Sequence, residues 1–540
     1  MSLVPLNSRL ALRTCRRLAL HCARMALALW VLLSLTSYAA TNGSSFAIQG
    51  VRLVGVTAFD SDALLEQLDD AAPRMGQGSM VTLSDLERLA DAITRHYRQH
   101  GYSFARAYIP EQEIADGVIW IVVLEGEYDE VLIENDSRLK ESVARGILGP
   151  VRADSLIESR SLTQATRLLL ETPGVRAQTF LGAGATPGSA TLTVHLADGP
   201  RFSGSVSLDN YGTAATGSHR VTAALNINNP TGSGDRVTLI GFATIGGINH
   251  GNIAYGRPLG NSPNRWRASY GRTQYEIQGA FAALDAVGSA NVSDLRFQFP
   301  FVRQAALKLD AEVALTNRDL EDSAAGERAL RQTQTLALAL DGERRIEWGL
   351  GGYDRFALVV TAGRLAILDP ATRAQDRATV GTAGDYAKVN ASFTRNWRLG
   401  ERVTVEMDLS AQWASKNLLS LEKFALGGPR GVRAYMPGTL SGDDGWLVRT
   451  ELRFDTGALG ALPGRLELIG SLDIGGVRRN KEEWVGAPPL NVLSLFGASA
   501  GIAYTLEPFE LRADFAWPLR DHYDLGPKHG VLWITSSLRF

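Results

Sequence analysis

The chain has 540 residues, with 55 Lys and Arg against 57 Asp and Glu for a formal net charge of −2, 55 glycines, 20 prolines and two cysteines. That balance argues against a nucleic-acid partner, which needs a basic face, and so few cysteines exclude a disulfide-held scaffold. A mean hydropathy of −0.05 fits several soluble domains or a barrel whose polar lumen cancels an apolar exterior, so periodicity has to decide.

Arg9, Arg13, Arg16, Arg17 and Arg24 precede an apolar run from Met25 to Leu35, followed by the small-x-small Ser37-Tyr38-Ala39. The run is shorter than the ~20 residues of a spanning helix, so residues 1–39 are expected to be a secretory signal removed after Ala39. Cys15 and Cys22 leave with it. Five arginines and no acids are lost, leaving 50 bases against 57 acids and a net charge of −7. Only Ala40 to Ser45 then remain ahead of the first module, too few for a helix that could plug a pore.

Residues 46–200 mix short strands with amphipathic helices. The pattern predicts a strand over Val51–Val54, helices over Ser61–Ala71 and Leu83–His100, and strands over Phe104–Ile109 and Val118–Leu124. The second helix carries Leu86, Leu89, Ala90, Ile93 and Tyr97 at helical spacing and stops at Gly101. The same β-α-α-β-β order then repeats as Glu130–Ile133, Ser137–Leu148, Leu162–Leu170, Ala177–Phe180 and Thr191–Leu196. Two modules are expected, 46–126 and 127–200.

From 201 to 540 the period changes to two. Val403, Val405, Met407, Leu409, Ala411 and Trp413 alternate with Thr404, Glu406, Asp408, Ser410 and Gln412. Leu307–Val313, Arg465–Leu468 and Leu511–Trp517 repeat the pattern. One apolar and one charged face describe a strand between lipid and a wet lumen, with Trp413, Trp446, Trp517 and Trp533 as an interfacial girdle. Lys308, Asp310, Glu312, Glu406, Asp408, Arg512 and Asp514 then line the pore. Sixteen strands are expected, beginning near Arg201, His219, Asp235, His250, Asn264, Asn291, Ala306, Leu330, Tyr353, Asp385, Arg402, Trp446, Arg465, Ser494, Glu510 and Val531. The fold class is therefore a 16-stranded antiparallel transmembrane β-barrel preceded by two periplasmic α/β modules. An even count puts both ends in the periplasm and makes the eleventh connection, Ala414 to Gly445, extracellular.

That connection contains Gly427-Gly428-Pro429-Arg430-Gly431-Val432-Arg433-Ala434-Tyr435, and a later strand carries one inward acid in Leu472-Asp473-Ile474-Gly475. A lumenal arginine needs a fixed anion to offset its desolvation, which pairs Arg433 with Asp473. At the C-terminus Leu532, Ile534, Leu538 and Phe540 share one face. Enzyme motifs are weak. Gly497-Ala498-Ser499-Ala500-Gly501 fits G-x-S-x-G but reads as strand rather than a strand-turn-helix elbow, and His96 with His100 has no third ligand. No catalytic residue, metal or other cofactor is expected.

Tandem β-α-α-β-β modules before sixteen strands resemble the POTRA-domain outer-membrane transporters. Tyr97-Arg98-Gln99-His100-Gly101-Tyr102, Ala107-Tyr108-Ile109-Pro110-Glu111-Gln112 and Val123-Leu124-Glu125-Gly126 are similar to the first POTRA module of the two-partner secretion transporters of the hemolysin-secretion and filamentous-hemagglutinin-secretion type. Arg430–Tyr435 resembles their inward-folded sixth loop and Leu472–Gly475 their barrel-wall acid motif. Alanine at 434 and leucine at 472 depart from the glycine and phenylalanine usual there. The resemblance implies an outer-membrane transporter that binds an unfolded exoprotein, of adhesin or hemolysin type, on its POTRA modules and passes it through a monomeric barrel. A barrel insertase or a diffusion porin is the alternative. It further implies a lock of Gly431, Arg433, Tyr435, Asp473 and Gly475, a substrate surface at Tyr97, Phe104, Tyr108 and Ile109, and Phe540 as the signal read by the barrel assembly machinery. Lipid of the outer membrane is the other partner.

Overall fold

The computed structural model describes residues 45–68, 78–457, 463–520, 523, 525, 527 and 529–540. The signal, its two cysteines and most of the short segment after it lie outside the described residues. The chain forms two compact units, one ending at Glu125 and the other running from Gly126 to Phe540, with residues 101–104 assigned to the second.

The first unit contains β1 (Phe46–Ile48), β2 (Gly50–Val54), α1 (Ser61–Gln67), β3 (Ser79–Val81), α2 (Leu83–Gln99), β4 (Arg106–Tyr108) and β5 (Val118–Leu124). Its three-stranded sheet runs β2-β5-β4, with β2 parallel and β4 antiparallel to β5, and β1 pairs antiparallel with β3 in a separate two-stranded sheet. A capping box between Thr82 and Asp85 starts α2, and the stripe Leu86, Leu89, Ile93 and Tyr97 is buried as the helical spacing predicts. Just past β5, the Glu125 carboxylate is almost fully buried. It accepts from Thr57 N at 2.7 Å, Ala58 N at 2.9 Å, the Tyr97 hydroxyl at 2.6 Å and the Thr57 hydroxyl. Burial raises its pKa, but these donors outweigh burial and hold it below the usual carboxylate range.

The second unit opens with β6 (Glu127–Asp136), α3 (Glu141–Ile147), α4 (Ser159–Leu170), β7 (Val175–Ala183) and β8 (Ser189–Asp198). Its β6-β8-β7 sheet repeats the parallel-then-antiparallel pairing of the first module. The helix expected from Ser137 begins four residues later. Asn135 Oδ1 accepts from the Ser137 amide at 3.0 Å and hydroxyl at 2.6 Å, which holds residues 137–139 in a turn.

Sixteen further strands close in sequence order into an antiparallel barrel. They are β9 (Phe202–Asp209), β10 (Arg220–Asn228), β11 (Arg236–Thr244), β12 (Ile248–Pro258), β13 (Arg265–Glu276), β14 (Val287–Arg303), β15 (Leu307–Ala324) and β16 (Glu327–Ile346). Then come β17 (Gly352–Ile367), β18 (Gly384–Arg398), β19 (Val403–Ala414), β22 (Asp444–Asp455), β23 (Arg465–Arg478), β24 (Val492–Leu506), β25 (Phe509–Arg520) and β26 (Val531–Arg539). Two short strands, β20 (Phe424–Ala425) and β21 (Ser441–Gly442), belong to a connection. Every barrel strand begins within a turn's length of its expected start, the widest offset being Val287 against Asn291. The expected girdle needs one correction. Trp413, Trp446 and Trp517 face outward, but Trp533 is 2% exposed and points into the lumen. The alternation that sends its neighbours Leu532 and Ile534 to lipid requires this.

The wall is uneven. β15 and β16 pair along their whole length, Leu307–Ala324, whereas the closing seam of β26 with β9 joins only Thr535–Arg539 to Asp209–Ser205. The Asn210 side chain extends that seam, donating to Leu532 O at 2.7 Å and accepting from Ile534 N at 2.8 Å.

Candidate functional site: a loop pinned inside the barrel

Residues 415–443 connect β19 to β22 and fold back into the lumen. The descending and returning arms pair as β20 and β21, and the tip tightens through Val432 N to Leu426 O at 2.7 Å and Gly428 N to Tyr435 O at 2.9 Å. Gly431 must be glycine because a Cβ there would strike the Leu426 carbonyl. Leu426, Val432, Ala434 and Tyr435 are wholly buried, packed on Leu447, Val477, Leu493, Leu495, Ala516 and Trp533 from the inner face of β22–β26. Burying each large apolar chain contributes roughly 1.5–3 kcal/mol. Wall glycines shape the seat. A side chain at Gly475 would meet Leu426, and a Cβ at Gly497 would lie 2.5 Å from that of Ala434.

Into this apolar seat the tip carries one charge. Arg433 meets Asp473 as a fork, Nε to Oδ2 at 2.9 Å and Nη2 to Oδ1 at 2.7 Å, while its own backbone N donates to Oδ2 at 3.0 Å. Its Nη1 reaches Glu451 Oε2 at 2.6 Å. Glu451 also accepts from Arg453 Nε at 2.7 Å and Arg512 Nη2 at 2.8 Å, and Arg512 Nε donates to Asp514 at 2.6 Å. Three guanidinium groups thus face three carboxylates, so the buried cluster is neutral. Trp533 Nε1 completes it by donating to Arg433 O at 2.7 Å, and the Tyr435 hydroxyl donates to Arg520 O at 3.1 Å.

The root of the loop is held on other strands with the opposite polarity. Glu422, 5% exposed, accepts from Arg318 of β15 and from Lys388 Nζ of β18 at 2.7 Å. Asp443, fully buried, accepts from Lys423 Nζ at 3.1 Å, Leu418 N at 2.9 Å and Lys481 N at 2.8 Å. Gln412 Nε2 of β19 donates to the carbonyls of both Glu422 and Asp443 at 3.0 Å. The loop therefore crosses the lumen, from β15 and β18 on one side to β22–β26 on the other.

Gly431, Arg433, Tyr435, Asp473 and Gly475 come together at one place. Leu472 does not join them. It is exposed on the lipid face, so its departure from phenylalanine leaves the tip untouched. All seven expected pore-lining residues face inward, yet each is engaged rather than free. Lys308 lies 3.2 Å from Glu171, Asp310 2.6 Å from Arg303 and Glu312 2.6 Å from Arg296. Glu406 accepts from Tyr353 and Asp408 from Arg449, both at 2.8 Å, and Arg512 and Asp514 belong to the tip cluster. In the first module Tyr97 is not a surface residue at all. It is 0% exposed, with its hydroxyl spent on Glu125, because the stripe that makes α2 amphipathic includes it. Phe104 and Tyr108 are exposed, and Ile109 is partly buried against Ile48, Val81, Leu86 and Ile119. Phe540 is exposed outward, its backbone N and O paired with Gly204.

Sequence reasoning missed Glu451, Glu422 and Trp533. Alternation in Arg449-Thr450-Glu451-Leu452-Arg453 signals an inward Glu451, but its partners follow only from barrel register. The G-x-S-x-G stretch lies mid-strand in β24, where Ser499 hydrogen-bonds Ser471. His96 and His100 stack 4.2 Å apart, and among the described residues no group of three His, Cys, Asp or Glu is arranged to hold a metal.

Paired α/β modules, an outward-apolar closed barrel and a loop folded into its lumen define a POTRA-bearing outer-membrane barrel, with its modules in the periplasm. The chain belongs to the family described as haemolysin secretion/activation protein ShlB/FhaC/HecB, whose profile matches residues 188–504, and a ShlB-type POTRA domain matches 46–126. It is thus an outer-membrane transporter of two-partner secretion, which decides against the insertase and porin alternatives. It is 27% identical to the heme/hemopexin transporter protein HuxB of Haemophilus influenzae over 86% of this chain and 82% of that one. It is 22% identical to the outer membrane transporter CdiB of Dickeya dadantii over 93% and 88%. The solved structure of CdiB from Escherichia coli superposes with a TM-score of 0.77 at 21% identity, covering all of both chains, and shares the fold.

Proposed function

We propose that the lumenal loop is the gate of this transporter and that its tip cluster is the latch. An unfolded exoprotein of adhesin or hemolysin type reaches the periplasmic modules, which sort as 46–126 and 127–200, each with a helix-backed three-stranded sheet. The edge strand β4, with exposed Tyr108 and with exposed Phe104 two residues ahead of it, offers backbone groups for strand addition, which gives affinity without demanding one sequence. The chain then enters a barrel that works as a monomer in outer-membrane lipid, its exposed terminal Phe540 having served the assembly machinery during insertion.

One observation carries the gate. Arg433 is buried with three bonds to Asp473 and one to Glu451, and the loop that bears it crosses the lumen. A passing polypeptide has to displace that loop. Removing one member of such a cluster strands the others without their counter-charge, at a cost of about 3–5 kcal/mol. Arg433→Ala is expected to reduce partner secretion while heat-modifiable mobility still reports a folded barrel in the membrane. Normal secretion by that variant overturns the latch.

A further inference from the structure

At the periplasmic mouth of the lumen, α4 of the second module and the inner wall of β11–β15 enclose a cavity of about 480 Å³. Six of its lining side chains are cationic and two, Glu171 and Glu312, are acidic. Three of the cations are already answered. Arg303 binds Glu171 at 2.9 Å and Asp310 at 2.6 Å, Lys308 lies 3.2 Å from Glu171, and Arg296 binds Asp294 at 2.7 Å and Glu312 at 2.6 Å. The other three are not. Arg236 Nε donates only to the neutral Asn228 Oδ1 at 2.9 Å and Arg265 Nη2 to the Gly234 carbonyl at 2.7 Å. Among the described residues neither these two nor Arg267 has a carboxylate at ion-pair distance. Asp235, beside Arg236, is fully buried; its charge acts on Arg265, but its oxygens accept from Thr231 N and the Tyr255 hydroxyl, so a single carboxylate stands against three guanidinium groups.

The sheet register lines these cations up. Arg236 lies opposite Gly256, Gly256 opposite Arg267, and Arg267 opposite Arg296, one row across four strands. Like charges directly opposite each other destabilise a sheet, and here Asp294 and Glu312 offset that for Arg296, the partner of Arg267, while Arg267 itself has no such acid. Gly256 carries no side chain, so Arg267 lies over it and the row stays open to the lumen. The lipid-facing side chains alternate out of this row, so headgroups do not reach it through the wall. A chain in transit does.

We propose that Arg236, Arg265 and Arg267 form a carboxylate-binding basin that takes Asp and Glu side chains of the exported polypeptide as it passes from the second module into the barrel. A guanidinium offers two parallel donors to a carboxylate, and three of them beside one another favour acidic segments over basic ones. The basin rests on the secretion reading for its ligand, not for its geometry.

The test uses the full chain in lipid nanodiscs and fluorescence anisotropy of a labelled oligoglutamate peptide, with oligolysine as the counter-probe. Oligoglutamate binding that falls at least about tenfold in R236Q/R265Q/R267Q, and stays unchanged in R364Q, where Arg364 lies near the far end of β17 and pairs with Asp385 at 3.0 Å, supports the basin. Equal binding by the triple variant, equal binding of oligolysine, or displacement of the peptide by micromolar inorganic phosphate overturns it. Heat-modifiable mobility verifies that the triple variant is folded, and the single R267Q, expected to show a smaller loss, serves if it is not. Partner export is measured alongside. No oligoglutamate binding with normal export sinks the basin alone, whereas binding without any export by the wild type sinks the transport reading.

Discussion

The two ends of the lumenal loop are held in opposite ways. At the tip a single cation, Arg433, is surrounded by wall carboxylates inside an apolar seat. At the root an acid, Glu422, is surrounded by wall cations, and a second acid, Asp443, is satisfied largely by backbone amides. The charge that reaches the wall is a cation among acids at the tip and an acid among cations at the root, so the two anchoring contacts are not interchangeable and the loop fits the lumen in one sense. The tip also gathers most of the buried apolar surface, whereas the root has hydrogen bonds at the extracellular rim. The tip should therefore be the stronger hold, and the root the hinge about which it leaves.

Substitutions can break that ranking. Asp473→Ala should have the largest effect, because it leaves Arg433 with Glu451 alone in a buried seat; hydrogen exchange over 426–440 should rise in line with a loss of about 3–5 kcal/mol. Unchanged protection there would mean the apolar seat holds the tip unaided. Glu422→Gln should cost less, about 1–3 kcal/mol, and should loosen 415–425 while the tip stays protected. Equal loosening of both ends would make the loop one cooperative unit and erase the distinction. Trp533→Phe keeps one aromatic ring, removes the indole N–H bond to Arg433 O and leaves part of the indole's buried volume empty, so at least the ~0.5–1.5 kcal/mol of that bond should go from tip protection, with root exchange unaltered.

The smallest effect is a reference outside the loop. Glu125 is as buried as these acids but answered only by neutral donors. Its folded pKa is depressed, so its contribution is full above the ordinary value of 4.5 and is lost as pH falls through the lower folded value. Exchange in α2 should rise on that acidification in the wild type and lose this pH dependence in Glu125→Gln. An identical acid response in the variant would show that another group governs the module.

The barrel was legible in the sequence because period-two alternation repeats over sixteen segments long enough to carry it. β1, β3, β20 and β21 were not, being two or three residues each. Arg433 with Asp473 was legible because a lone lumenal arginine limits its partners. Glu451 escaped because its neighbours Arg433 and Arg512 come from a loop and a strand that meet it only after closure. Tyr97 and Trp533 were misread for one reason: an aromatic residue suggests a surface role by type, while its position in the periodic pattern decides which way it points.

The fit of Ala434 against Gly497 ties together two positions 63 residues apart in the chain, on different elements. The methyl group on the loop occupies the volume a side chain on β24 would need, so neither site can drift alone. Exchanging them, Gly at 434 with Ala at 497, should be tolerated where Ala at both is not, and sequence change in this loop is expected to travel in such pairs.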